Sequence, residues 1–238
     1  MSENTRVNKI EPLIKPSFLK NILPISKKTE SFIISTRNEI KQILEKKDDR
    51  LIVVVGPCSI HDEASALEYA NRLSVINRAL KNELLIIMRT YFEKPRTCMG
   101  WKGLISDPYL NGTCDMLAGL KKSRNLLVEI CENYNLPVST EFLDPISPQY
   151  LSDLIAWGAI GARTVESQVH RQLASGLSCP IGFKNGTSGN TTVAIQACKA
   201  SSQPHTFFGV TNEGEASIVH TNGNEDCHVI LRGGENGP

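Results

Sequence analysis

The chain has 238 residues, 40% hydrophobic and 21% charged, with a formal net charge of +1. That length and apolar content allow a sizeable core and exclude disorder over most of the chain. The near-zero charge leaves no overall field to attract nucleic acid or an anionic membrane, so anion binding has to come from local clusters of cations.

Seven cysteines, scattered and without a C-x-x-C pair, predict free thiols in a reducing compartment. The polar opening MSENTRVNKIEP has no apolar signal core, and no later apolar run reaches the length of a membrane span. The expectation is a cytoplasmic protein with neither nucleic-acid nor membrane partners.

Up to about Lys28, Pro12, Pro16 and Pro24 interrupt a mixture of charges and isolated apolar residues, among them Ile10, Leu13, Ile14, Phe18 and Leu19. This predicts an arm that docks on a surface rather than a core element. Glu30 to Lys47 reads as a helix, because Ile33, Ile34, Ile40, Ile43 and Leu44 recur near helical spacing before the charged turn KKDDR. Residues 1–47 are therefore expected to be an arm and helix serving assembly or regulation, and residues 48–238 the main domain.

From there, short apolar runs alternate with longer amphipathic segments, the pattern of βα units and a parallel sheet. The six runs are LIVVV (Leu51 to Val55), LLIIM (Leu84 to Met88), PVSTEF (Pro137 to Phe142), AIGAR (Ala159 to Arg163), PIGFK (Pro180 to Lys184) and HVILR (His228 to Arg232). Helices are expected at Ala64 to Leu80, Asp115 to Tyr134, Gln149 to Trp157, Glu166 to Leu177 and Thr192 to Ala200. Between the fifth and sixth runs, HTFFGV and EASIVH flank TNEG and read as a hairpin inserted at about 205–221.

The fold class is thus α/β, a (β/α)8 TIM barrel with an N-terminal extension and an inserted β-hairpin. Eight strands close such a barrel, and the sequence ends at GGENGP directly after the sixth run, so strands 7 and 8 are expected to be lacking. The alternative is an open doubly wound sheet of six strands, which no Gly-rich dinucleotide or P-loop motif supports.

In a barrel of this type the residues just after each strand form the catalytic face. Here they are polar: Gly56-Pro57-Cys58-Ser59-Ile60-His61, then Arg89 and Glu93-Lys94-Pro95-Arg96-Thr97, then Glu141 and Asp144, Arg163 and Glu166, Lys184-Asn185-Gly186, and Arg232-Gly233-Gly234. Four of the six strands deliver a cation to one rim. The planar fork of arginine suits phosphate or carboxylate, and lysine adds a compact charge that can also donate a proton. Ordinary ion pairing with Glu141, Asp144 or Glu166 accounts for any one of these cations as well as anion binding does; for the whole set it is the weaker account.

Cys58 and His61 are open to two readings, as buried or structural groups or as metal ligands, the former being the commoner fate of a lone cysteine. Lys184 at a strand end could also form a Schiff base.

The motifs GPCSIHD, MRTYFEKPRT with GWKGLISDP, STEFLDPISPQYL, WGAIGART, ESQVHRQLASGLSCPIGFKNGT and HVILRGG closely resemble the type I 3-deoxy-D-arabino-heptulosonate 7-phosphate (DAHP) synthases. The resemblance runs from about residue 30 to the C-terminus. It implies condensation of phosphoenolpyruvate with erythrose 4-phosphate on a divalent metal (Mn, Fe, Co or Zn), with release of phosphate, as the first step of the shikimate pathway.

By that resemblance Arg89, Arg163, Lys184 and Arg232 hold phosphoenolpyruvate with the backbone at Gly161 and Ala162, and Lys94 lies between the two substrates as the candidate proton donor. Arg96 and Thr97 hold the phosphate of erythrose 4-phosphate, Glu141 positions water or substrate, and Cys58 is a metal ligand. It further implies a homodimer or homotetramer and feedback inhibition by an aromatic amino acid, with Asp144, Ile146, Pro148, Gln149, Leu177 and Ser178 in the effector region. The effector is left open, since PISPQYL is closer to phenylalanine- or tyrosine-sensitive members and MRTYF to tryptophan-sensitive ones.

Relatives in that family continue past the RGG motif into the strands that carry further metal ligands, so the sequence is read as truncated and is expected to lack synthase activity by itself. The rival readings are a Schiff-base aldolase using Lys184 and a noncatalytic phosphometabolite-binding protein.

Overall fold

A computed structural model describes residues 2–234. Six parallel strands form the main sheet: β1 (Leu51–Val55), β2 (Leu84–Arg89), β3 (Val138–Glu141), β4 (Ile155–Ile160), β5 (Ile181–Lys184) and β8 (Cys227–Ile230). Their order is β1-β2-β3-β4-β5-β8, each new strand adding on the same side of the last. A doubly wound sheet reverses direction at a switch point. This one does not, so the open doubly wound alternative is set aside and the sheet is an α/β half-barrel.

Helices α3 (Glu63–Ala79), α4 (Met116–Tyr134), α5 (Pro148–Leu151), α6 (Gln168–Gly176) and α7 (Thr192–Ser201) connect the strands. Local chemistry starts two of them: Asp62 accepts from the Ser65 amide at 2.6 Å and Asp115 from the Ala118 amide at 2.9 Å, each as an N-cap. Alternation along the strands then divides the core. Ile86, Met88, Val138 and Phe183 pack with the helices. Leu85, Ile87, Tyr91, Trp157 and Ala159 form a second cluster on the opposite face, joined by Ile52, Val54 and Ile230.

Ile40 of α2 (Lys27–Leu44) completes that second cluster. The same helix sends Arg37 to the carbonyl oxygens of Ile155 and Ser152, with contacts of 2.7–3.0 Å, so it lies against the N-terminal end of the sheet, away from the polar strand ends.

Three expectations need correction. The arm contains a helix, α1 (Pro16–Ile22), and its Leu19 is fully buried in the core. Pro16 stands in its first turn, where the missing N–H costs nothing. The helix expected at Gln149 to Trp157 ends at Leu151, and Ile155, Ala156 and Trp157 belong to β4, which therefore begins before Ala159 and stops at Ile160. Pairing with β3 (Val138 with Ile155, Ser139 with Trp157) buries those residues on both faces, which a continuous apolar run allows as readily as a helix. Arg163 accordingly sits in the turn beyond its strand.

The inserted hairpin is present as β6 (Thr206–Val210) and β7 (Ala216–His220), antiparallel and separate from the main sheet, with Phe208 opposite Ile218. Among the described residues no helix is long and apolar enough to cross a membrane.

Candidate active site

The loops after β1 and β2 meet first. Gly56 lets them do so: a Cβ there would come within 2.8 Å of the Arg89 carbonyl oxygen. Arg89, the last residue of β2, donates from Nη2 to the Cys58 carbonyl at 3.2 Å, and its buried Nε has no hydrogen-bond partner among the described residues. Lys94 Nζ donates to Cys58 Sγ at 2.8 Å. That hydrogen bond, reinforced by the charges of Lys94 and Arg89, holds the exposed Cys58 thiol below its ordinary range and favours the thiolate.

The other strand ends close on the same space. Lys184 forms an ion pair with Glu141, the buried last residue of β3. Gly161 leaves room for it, since a Cβ at 161 would stand 2.8 Å from Glu141 Oε1. Arg163 Nε donates to Thr97 Oγ1 at 2.8 Å, and Arg96 Nε donates to the Trp101 carbonyl at 2.8 Å, which fixes the KPRT loop against its own return. Arg232 is set by the side chain of Asn185, whose Oδ1 accepts from the Arg232 amide at 2.7 Å while Nδ2 donates to the Arg232 carbonyl at 3.2 Å.

Two adjoining cavities result. One, of about 270 Å³, is lined by Cys58, Arg89, Lys94, Arg96, Glu141 and Arg163 among others. The second, of about 260 Å³, brings Ala162, Thr187 and Arg232 together with Arg163 and Lys184, which both cavities share. Six cations against two buried carboxyl groups, Glu93 and Glu141, suit a pair of small polyanions held side by side.

The donor set is poor for a metal. Cys58 offers one thiolate, but among the described residues no group of three or more His, Cys, Asp or Glu is placed to hold a metal ion. These residues do not make a metal centre by themselves.

The effector-region residues gather elsewhere, around a cavity of about 510 Å³ between α5, α6 and the hairpin, lined by Ile146, Pro148, Gln149, Leu177 and Ser178 and, from the hairpin, by Phe207. Asp144 does not line it; its Oδ1 accepts from the amides of Ile146 at 2.7 Å and Ser147 at 3.2 Å and shapes the turn.

The chain matches the model of the DAHP synthetase I family over residues 24–238, a span that contains every candidate site residue. The chain belongs to this family.

Within the family it is 53% identical over 234 residues to the Phe-sensitive phospho-2-dehydro-3-deoxyheptonate aldolase of Escherichia coli K12, covering 98% of this chain and 67% of that protein. To the Tyr-sensitive aldolase of the same organism it is 51% identical over 232 residues, covering 98% and 65%. The solved phospho-2-dehydro-3-deoxyheptonate aldolase from Francisella tularensis SCHU S4 superposes with a TM-score of 0.95 at 51% identity, covering 98% of this chain and 68% of that one. The chain thus spans about 65% of the length of curated relatives that it matches from end to end.

Three residues at the heart of this family member's site are given no role by the sequence. Tyr91 stands just past the second apolar run, between Thr90 and Phe92, and only its spacing of two from Arg89 marks it for the same face. Asn185 was visible as a strand-end residue, but its clamp on Arg232 depends on β5 pairing with β8 across the inserted hairpin. Glu93 is buried and accepts from the Asp144 amide and the Ser147 hydroxyl, both at 3.0 Å; burial pushes its carboxyl up to about 7. It joins the KPRT loop to the turn before α5.

Proposed function

We propose that the protein of which this chain is a part condenses phosphoenolpyruvate, erythrose 4-phosphate and water to DAHP and inorganic phosphate, the first step of the shikimate pathway to aromatic amino acids. The observation that carries this reading is the double cavity in which Arg163 and Lys184 are shared between two cation-lined halves.

In this reading Arg89, Arg163, Lys184 and Arg232 hold the phosphate and carboxylate of phosphoenolpyruvate, with the backbone at Gly161 and Ala162. Arg96 and Thr97 hold the phosphate of erythrose 4-phosphate. Cations at both ends screen the repulsion between two polyanions and keep the nucleophilic carbon three facing the aldehyde. When the new carbon–carbon bond forms, the aldehyde oxygen gains negative charge and takes a proton from Lys94. Water, placed by Glu141, adds to carbon two, and phosphate leaves with cleavage of its carbon–oxygen bond. By the family resemblance Cys58 would be one ligand of a divalent metal, whose other ligands are not among the described residues and which would supply Lewis-acid polarisation of the aldehyde.

The ion pair of Lys184 with Glu141 weighs against a Schiff-base mechanism, because an ammonium tied to a carboxylate is not a free amine nucleophile. A complete (β/α)8 barrel is the architecture proposed for the whole protein, with residues 1–47 as an assembly or regulatory arm. Support for the arm's role comes from Lys20 of α1, which lines the 510 Å³ cavity, and from the Ser17 amide, which donates to Asn212 beside the hairpin.

That cavity is proposed as the site of an aromatic amino acid inhibitor. The outward Phe208 and Ile218 of the hairpin, 91% and 62% exposed, suit contact with a second copy in a homodimer or homotetramer. All seven cysteines are free, which fits a reducing cytoplasm.

The test is calorimetric titration of the chain with phosphoenolpyruvate and, separately, with erythrose 4-phosphate. Saturable binding of both, abolished at high salt, supports the reading. Binding of neither rejects it, and labelling of Lys184 by substrate only when borohydride is present to reduce the imine would replace it with the aldolase mechanism.

A further inference from the structure

We infer that Tyr91 is a positioning residue whose ring face sets Arg89 and Lys184 for anion binding. The inference rests on the phosphoenolpyruvate reading above and adds a residue to it.

Tyr91 lies two residues beyond Arg89, the last residue of β2, and clusters with Leu85 and Ile87, so it continues the alternation that sets Arg89 on the same side. The ring is 4% exposed and is wedged in the cluster that includes Trp157 and Ala159, so it has little freedom to move. The Arg89 guanidinium carbon lies 3.9 Å from the ring centroid and Lys184 Nζ lies 5.5 Å from it. One ring therefore touches two like charges from different strands.

Glu141 pairs with Lys184 and neutralises one of the two charges, and the negative face of the aromatic ring offsets part of the repulsion that remains between the cations. It does so without competing for the hydrogen bonds a ligand needs. The guanidinium keeps its edge for the anion, and its buried Nε–H, unpartnered among the described residues, remains to be satisfied.

The Tyr91 backbone adds a second tie, because its carbonyl accepts from the Ile60 amide at 2.9 Å and holds the Cys58 loop beside the same two cations. Burial pushes the phenol up, so the side chain is neutral, and the ring face rather than a phenolate carries the effect.

The experiment is phosphoenolpyruvate affinity of the chain with Tyr91, with Tyr91→Phe, and with phenylalanines carrying one to three ring fluorines at position 91. Fluorination drains the ring face and leaves the shape, so each variant keeps the core packing, which melting curves confirm. Tyr91→Phe should retain affinity within about threefold, and successive fluorines should weaken it stepwise to roughly tenfold, the range of a desolvated cation–π contact. A purely structural ring would give a flat series. A flat series, or loss already at Tyr91→Phe, overturns the inference while leaving the phosphoenolpyruvate reading intact. No binding by the unsubstituted chain overturns both.

Discussion

Lys94 Nζ donates to the sulfur of Cys58 across 2.8 Å and so joins the loop after β2 to the loop after β1 at the mouth of the site. The contact makes Cys58 unlike the other exposed cysteines, Cys98 and Cys114, for which no such partner is seen among the described residues. Rates of iodoacetamide alkylation, mapped by mass spectrometry against pH, should show Cys58 reacting with a midpoint below the usual value of about 8.5. Lys94→Met should move that midpoint upward. Equal profiles in the two proteins would show that the hydrogen bond does not set the thiol.

Glu93 predicts a pH dependence of stability. Its carboxyl is raised by burial to about 7, against roughly 4.3 in an unfolded chain. Between those values the folded state binds more protons than the unfolded one, so stability falls as pH rises through the window. The full loss is on the order of 4 kcal/mol. Glu93→Gln keeps an oxygen for the Asp144 amide and cannot ionise, so melting temperatures from pH 5 to pH 8 should decline less in the variant. Parallel curves would contradict the assignment.

Gly161→Ala tests the seat of Glu141. The added Cβ meets Glu141 Oε1 at 2.8 Å, so the carboxylate must move and the pairing with Lys184 must change. An overpacking cost of about 1–3 kcal/mol is expected in urea unfolding. Phosphoenolpyruvate affinity should drop roughly tenfold, the effect of about 1.4 kcal/mol at the binding site. Unchanged affinity would mean that Lys184 is positioned without Glu141.

Arg124 is 1% exposed and binds Asp153 through both terminal nitrogens at 2.8 Å, the Tyr150 carbonyl at 2.8 Å and the Leu23 carbonyl at 2.9 Å. It therefore ties α4 to α5 and to the end of the arm. Arg124→Met leaves Asp153 without its partner and should cost about 3–5 kcal/mol in chemical denaturation. A loss below about 1 kcal/mol would place it with ordinary surface pairs.

The parallel strands were legible because each is a short apolar run bounded by polar residues, and the cations at their ends fell on one rim because parallel strands share a direction. The hairpin was legible from the turn TNEG. What sequence hid were relationships across distance. Ile155 to Trp157 reads as the end of a helix until Val138 and Ser139 are seen to pair with it. The arm's proline spacing masked a helix that buries Leu19. Asn185 gained its meaning from a strand that follows it by more than forty residues, and Glu93 from a turn equally far away.

The central claim is that the strand-end cations form one phosphoenolpyruvate grip. Isothermal titration of this chain with phosphoenolpyruvate, compared with Arg163→Ala and Arg232→Ala, tests it most directly. Each arginine makes charge-assisted bonds worth about 1.5–3 kcal/mol, so each substitution should weaken binding by at least roughly tenfold. Affinity in the unsubstituted chain should fall as salt rises. No binding by the unsubstituted chain, or equal binding by all three proteins, would contradict it.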